Sequence, residues 1–164
     1  MIRAYQAHDY PQVAEVFWET TTRVQFSSAT ERQQFQNQYL DDYLHQVAFV
    51  AVEGEQVLGH IIAQLDTFAT ESTWAPHLAI FREEYARYPA HLHINCRSAA
   101  QGQGLGGQLL AALEKDLYAR GVTGLHLITA ADARNVNFYR KYGYLEVSQK
   151  PWKSAQLMML GKIL

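Results

Sequence analysis

The chain is short of the features that would mark several large classes of protein. It has one cysteine, Cys96, in 164 residues. No intrachain disulfide can form, so the fold does not depend on an oxidising compartment. Charge of neither sign dominates: 14 Lys and Arg face 16 Asp and Glu, for a net charge of −2. A protein that grips nucleic acid through bulk electrostatics usually carries a basic excess, so that class is set aside. No apolar run reaches the ~18 residues of a membrane-spanning helix. The first residues, MIRAYQAHDY, lack the apolar core of a secretory signal. No internal repeat or low-complexity stretch is present. What the chain does have is apolar content: 48% hydrophobic against 18% charged residues, enough to bury a core and to exclude general disorder. The expectation is a soluble, cytoplasmic protein forming one domain over residues 1–164.

Apolar periodicity and turn residues set the element order. A strand is expected at Ile2–Gln6 and a helix from Asp9, with Asp9 as N-cap, Pro11 in the first turn and Val13, Val16 and Phe17 on one face. A second helix opens at Thr30, with Phe35, Tyr39, Tyr43 and Leu44 as its apolar positions. VAFVAV (47–52) and 57–65 form a hairpin around a short polar turn. Residues 67–90 read as an insert whose last part, Leu78–Tyr88, is helical with Phe81, Tyr85 and Tyr88 at i, i+4 and i+7. HLHINC (91–96) is a strand, Leu105–Arg120 an amphipathic helix stopped by Gly121, and GLHLITA (124–130) a strand. Asn135–Tyr142 is a short helix, and strands at 144–148 and 156–163 close the chain. The strand–helix–strand unit 91–130 requires parallel pairing, whereas the hairpins are antiparallel. The fold class is therefore α/β: a mixed, mostly antiparallel central sheet of about seven strands with helices on both faces.

Chemistry concentrates where the strand 91–96 meets the helix at Leu105. The connecting stretch ends in Gln101-Gly102-Gln103-Gly104-Leu105-Gly106-Gly107. Glycines there let backbone N–H groups approach a ligand, and the helix start adds unpaired donors and partial positive charge. Together they make an anion site suited to a phosphate or diphosphate. A glycine-rich turn that only tightens helix packing is the plainer alternative. Gly102, Gly104 and Gly107 also fit the G-x-G-x-x-G dinucleotide fingerprint. That fingerprint normally follows the first strand of a parallel half-sheet, and too little chain follows residue 107 to build one. No Lys-Ser/Thr follows the glycines, so a P-loop is excluded. The seven histidines show no metal-ligand spacing, and no metal is expected.

Gln101-x-x-Gly104-x-Gly106, placed between strand and helix, resembles the Q/R-x-x-G-x-G/A signature of the GNAT acetyltransferase superfamily. Asn135-Val136-Asn137-Phe138-Tyr139-Arg140-Lys141-Tyr142-Gly143-Tyr144 is similar to its second signature, and Leu157–Lys162 to its last strand. The helical insert with Tyr88–Ile94 also resembles the acetyltransferase-like domain attached to some O-GlcNAc hydrolases, a group in which not every member is an active enzyme.

The resemblance implies acetyl-CoA as co-substrate and an amine of a small molecule or peptide as acceptor. It places the diphosphate on Gln101, Gly102, Gln103, Gly104, Leu105 and Gly106, with Arg97 and Arg134 as further phosphate candidates that read rather as ordinary surface arginines. It places the pantetheine arm along Ile94, Asn95 and Cys96. Cys96 takes a position usually held by a small apolar residue and is read as packing. Tyr139 stands where the family has the tyrosine that assists the departing thiolate; its alternative is a core position between Phe138 and Tyr142. An Asn that the family places seven residues before that tyrosine is here Asp132, which accepts hydrogen bonds but does not donate like an amide. Asn135, one helical turn on, is the substitute. The base is open between His93, His91 and Glu71, with His93 preferred. The acceptor side includes the aromatic set Trp74, His77, Phe81, Tyr85 and Tyr88, of which the last three read rather as core or dimer contacts. Glu83 and Glu84 attract a cationic amine or form a solvated face. A catalytically weak CoA-binding module and a nicotinamide oxidoreductase stand as alternatives, and a homodimer is an accepted possibility for so small an enzyme.

Overall fold

Two apolar runs rich in Val and Ile, joined by a short polar turn, build the first hairpin. In the computed structural model, which describes residues 1–23, 25–69 and 76–164, β2 (Val47–Glu53) and β3 (Gln56–Gln64) pair antiparallel from Val47↔Ala63 to Glu53↔Gln56. Before them come β1 (Ile2–Ala4), α1 (Tyr10–Thr20), α2 (Ala29–Gln36) and a short α3 (Asp42–Leu44). After them come α4 (Pro76–Ala79), β4 (Ala90–Cys96), α5 (Leu105–Ala119), β5 (Gly124–Ala130), α6 (Asn135–Lys141), β6 (Leu145–Trp152) and β7 (Ala155–Ile163). The strands form one seven-stranded sheet in the order β1-β2-β3-β4-β5-β7-β6. β4 and β5 run parallel, in register at Ala90↔Leu125 and His91↔His126, while β5–β7 and β6–β7 are antiparallel. This is the mixed, mostly antiparallel α/β sheet expected from the element order. Among the described residues, no helix is long and apolar enough to cross a membrane.

The chain divides into two compact units, residues 1–63 with 93–116 and residues 64–92 with 117–164. In the first, Val13, Val16 and Phe17 of α1 pack with Leu40, Tyr43, Val50, Val52, Val57 and Ile62. Two expectations are corrected here. Asp9 is not the side-chain cap of α1. It is buried at the end of a 3-10 turn (Ala7–Asp9), accepts from the Gln6 N–H at 2.8 Å and takes a two-pronged bond from Arg3 at 2.7 Å on each oxygen. The guanidinium of Arg3, ahead of the opposing effect of burial, holds the Asp9 carboxyl below its ordinary range. The second helix is also interrupted. Ser28 caps α2, accepting from the Glu31 N–H at 3.1 Å, but Asn37–Asp41 is a π-turn. Its wider winding moves the buried stripe from Tyr39, which is half-buried, to Leu40, which is fully buried.

In the second unit Phe81, Tyr85 and Met159 form a core with Ile80, Ile128, Val147 and Leu157. Phe81, Tyr85 and Tyr88 are buried, as a core reading requires. The continuous helix expected over 78–88 does not form; Pro76–Ala79 is one turn and Arg82–Glu84 a 3-10 turn. Two carbonyls of this stretch also accept side-chain donors. Tyr85 donates its hydroxyl to the Leu78 carbonyl, and Lys150 donates its ammonium to the Ile80 carbonyl at 2.7 Å. The backbone then closes tighter i→i+3 bonds, Phe81 N–H to Leu78 and Glu84 N–H to Phe81, both at 3.1 Å. Lys150 also pairs with Glu84 at 3.1 Å, so Glu84 belongs to this brace, whereas Glu83 is exposed.

Candidate active site

The first unit carries a continuous strand–turn–helix segment from His93 to α5. Where β4 ends, the Arg97 N–H donates to the Leu58 carbonyl at 2.8 Å. The Arg97 side chain reaches the Val57 carbonyl (2.9 Å), Glu19 (2.8 Å) and Glu15 (3.1 Å), and Glu19 also accepts from the Ser98 N–H at 3.0 Å. The charge of Arg97 is thus met by two carboxylates of α1, and the residue ties the strand exit to that helix. Close approach of β3 to β4 is possible because residue 59 is glycine. A Cβ there would lie 2.8 Å from both the Asn95 carbonyl and the Cys96 sulfur.

After a 3-10 turn at Ser98–Ala100 the glycine stretch begins. Gly102 (φ +79°) and Gly104 (φ +78°) both occupy the left-handed region, which explains why glycine stands at these two positions. A Cβ at either would meet nothing within 4 Å, so the requirement there is conformational and the space in front of the turn is open. The two glutamines fold back on the turn itself: Gln101 donates to the Cys96 carbonyl at 3.4 Å and Gln103 to the Ala99 carbonyl at 3.2 Å. Gln108 N–H bonds the Gly104 carbonyl at 3.2 Å, so the amides of Leu105, Gly106 and Gly107 precede the first intrahelical bond. The first turn of α5 holds no acidic residue to neutralise them. Buried Leu109, Leu110, Leu113 and Leu117 anchor the helix behind them. The result is a positively polarised and accessible turn, which fits a diphosphate.

On β4 itself, the His93 Nε2 lies 3.3 Å from the Tyr43 hydroxyl, with the Tyr39 and Tyr43 rings set edge-on at 5.6 and 4.9 Å. Asn95 donates its amide to the Thr20 hydroxyl at 2.7 Å. Cys96 is half-buried, and burial pushes its thiol up to about 11. A thiol of that kind stays protonated at neutral pH. His60 on β3 is a residue the sequence reading missed. It is fully buried opposite Val50, and among the described residues neither ring nitrogen has a hydrogen-bond partner. Burial first, and the nearby His93 second, lower its pKa to about 3, with the Asn95 amide acting weakly the other way. The one signal available was a histidine inside an otherwise apolar run, VLGHIIA.

The second unit holds the other candidates. Asp132, Arg134 and Asn135 are exposed, and the Thr129 hydroxyl donates to the Asn135 side-chain oxygen at 3.1 Å. Tyr139 on α6 is buried, with Phe138 and Tyr144 edge-on at 5.1 and 5.7 Å. His91 is buried in a ring stack: His91 on His126 at 4.8 Å and His126 on Tyr85 at 5.1 Å, with the His126 Nδ1 donating to the Tyr88 carbonyl at 2.7 Å. His77 is half-buried beside Trp152, and burial, then Lys153, lowers its pKa. Glu71 and Trp74 lie outside the described residues. No group of three or more His, Cys, Asp or Glu suited to a metal ion occurs among the described residues.

The chain matches the family model described as "Acetyltransferase (GNAT) family" over residues 10–144. It belongs to the GNAT acetyltransferase family. It is accordingly an acyl-CoA N-acyltransferase of the GNAT type, in a family whose members take acetyl-CoA as co-substrate and amines as acceptors. Solved structures agree in fold. SsHAT superposes with a TM-score of 0.79 at 24% identity, over 99% of this chain and 97% of its own. An apo-form mutant of agmatine N-acetyltransferase gives 0.72 at 12% identity, over 100% and 99%. The ribosomal-protein-alanine N-acetyltransferase from Brucella melitensis gives 0.66 at 20% identity, over 100% and 99%. Membership in this GNAT family leaves the nicotinamide reading without support.

Proposed function

We propose that the chain, acting as one acetyltransferase domain, moves the acetyl group of acetyl-CoA directly to the amine of a small molecule or peptide. The observation that carries this reading is the glycine turn leading into an unneutralised helix N-terminus, inside a segment that matches the GNAT family. The amides at Gly102–Gly107 bind the diphosphate, and the backbone of Ile94, Asn95 and Cys96 receives the pantetheine arm. Acetyl-CoA, when bound, supplies the activated thioester. The amine nitrogen attacks the thioester carbonyl, the carbon–sulfur bond breaks, and two protons move. One leaves the amine for His93, directly or through water. Its ring is held by Tyr43, which supports the assignment. The other comes from the Tyr139 hydroxyl to the departing thiolate, a group with an ordinary pKa of ~10 that remains protonated at neutral pH.

A thiol-release assay with acetyl-CoA and a panel of amines tests this. Tyr139→Phe lowers kcat by ~10²–10⁴-fold and leaves CoA affinity unchanged; unaltered turnover removes Tyr139 from the mechanism. A second reading has one observation in its favour: Asp132 stands where the family has an amide donor. Under that reading the protein takes up CoA but releases no thiol with any amine.

A further inference from the structure

The last turns of α1 meet the exit of β4 through two carboxylates. Glu15 and Glu19, four residues apart on one face of the helix, both accept from the Arg97 guanidinium, at 3.1 and 2.8 Å. Glu19 does more than balance that charge. Its Oε2 faces Arg97 Nη1, while its Oε1 accepts from the Ser98 N–H at 3.0 Å. Ser98 opens the 3-10 turn Ser98–Ala100, and the residue at its N-cap, Arg97, makes no side-chain capping bond. The N–H at the start of that turn is therefore met by a carboxylate 79 residues away in sequence. From there a run of bonds leads to the glycines. The Ala100 N–H donates to the Arg97 carbonyl at 2.9 Å, and the Gln101 N–H to the Ser98 carbonyl at 3.3 Å. The Gln103 side chain closes on the Ala99 carbonyl at 3.2 Å. Gly102 and Gly104 are interleaved with these residues, so the placing of Ser98 is carried into the glycine turn.

Arg97 is the other half of the clamp. Its Nε donates to the Val57 carbonyl at 2.9 Å and its backbone N–H to the Leu58 carbonyl at 2.8 Å. Each of its three side-chain nitrogens thus has a protein acceptor, and the side chain is only 18% exposed. A guanidinium held in this way serves the fold of the turn before it serves a ligand. We infer that Glu19 is a positioning residue for the cofactor turn. Through Arg97 and the Ser98 N–H it sets the approach to Gly102–Gly107, and Arg97 acts in this clamp instead of binding phosphate itself. The inference rests on the acetyltransferase reading for the identity of the ligand; the clamp is a property of the free protein.

Glu19→Gln separates the two roles of Arg97 by sign. If Arg97 bound phosphate, the variant would release it, remove a neighbouring negative charge and bind CoA more tightly. If Glu19 positions the turn, CoA binding weakens. The amide has the shape of the carboxylate but offers one acceptor oxygen where two are used, and the charged Arg97 is the stronger claimant to it. Calorimetric titration with CoA is run in about 1 M NaCl, where a Debye length of ~3 Å screens the long-range field of the carboxylate. Expected is an affinity about tenfold lower in Glu19→Gln, a similar loss in Arg97→Gln, and no further loss in the double variant, because both changes break one clamp. In the ligand-free protein, hydrogen exchange at the Ser98 and Gln101 amides should speed about tenfold in Glu19→Gln while the amides of α5 exchange as in the wild type. Unchanged or tighter CoA binding by Glu19→Gln, additive losses in the double variant, or unchanged exchange at Ser98 overturns the inference. A lower melting temperature with CoA affinity intact gives the clamp a role in stability alone, and overturns it too. Failure of the wild type to take up CoA would instead strike the acetyltransferase reading, and the exchange measurement would still report on the clamp.

Discussion

Moderate acid should weaken this protein through one buried side chain. His60 has an ordinary pKa of 6.5 when unfolded and one of about 3 in the fold, chiefly because burial penalises its charged form. Above pH 6.5 the ring is neutral in both states and contributes nothing to the pH dependence. Below 6.5 the unfolded chain takes up a proton that the folded chain refuses until pH approaches 3. Each pH unit in that window therefore costs about 1.4 kcal/mol of stability. Between pH 7.5 and 5 the loss from His60 alone is on the order of 2 kcal/mol. The assay is urea unfolding of wild type and His60→Leu at those two pH values. Groups other than His93, whose charge acts on His60, titrate alike in both proteins, so the difference between their pH-induced losses reports His60 together with its coupling to His93. The variant should lose ~2 kcal/mol less than the wild type on acidification. It should also be no less stable at pH 7.5, because an apolar side chain of similar size replaces two buried ring nitrogens that have no hydrogen-bond partner among the described residues. Equal losses on acidification would show that His60 takes up its proton in the folded state, refuting the burial argument.

Two further outcomes follow from the same geometry. Gly104→Ala forces a side chain into the left-handed region, where it meets no neighbour, so the strain is confined to the backbone and amounts to ~1–2 kcal/mol. Calorimetry should show weaker CoA binding for this variant with only a small fall in melting temperature; unchanged affinity would separate the turn from the ligand. Cys96→Ala should retain full turnover, and the wild-type thiol, pushed up to about 11, should alkylate with iodoacetamide at least ~100-fold more slowly than free cysteine at pH 7.5. Rapid alkylation would contradict its burial.

The elements that could be read in advance are those governed by local rules. The hairpin of β2 and β3 consists of two Val- and Ile-bearing apolar runs around a polar turn, and Gly121 and Gly143, both at positive φ, stop α5 and α6. The glycine turn was legible because positive φ at Gly102 and Gly104 leaves few other residues possible there. What failed was decided by distant partners. The periodicity of Phe81, Tyr85 and Tyr88 is helical, yet the stretch breaks into short turns, braced by Lys150, 70 residues away in sequence, at the Ile80 carbonyl. Asp9 has the composition of a cap, but Arg3 claims its carboxylate. The bond from Asn95 to Thr20 joins residues 75 apart, and His60 faces β4 only once β3 has folded beside it. Of the candidate site, the glycine turn was visible in the chain, while the surroundings of His93 and the charge partners of Arg97 required the tertiary structure.

The central claim is that the backbone amides of the Gly102–Gly107 turn hold a diphosphate. Calorimetric titration with CoA beside pantetheine, which is the same arm without the nucleotide and its phosphates, tests it most directly. The account predicts saturable one-to-one uptake of CoA and binding of pantetheine weaker by at least a hundredfold. No uptake of CoA, or equal affinity for the two, would contradict it.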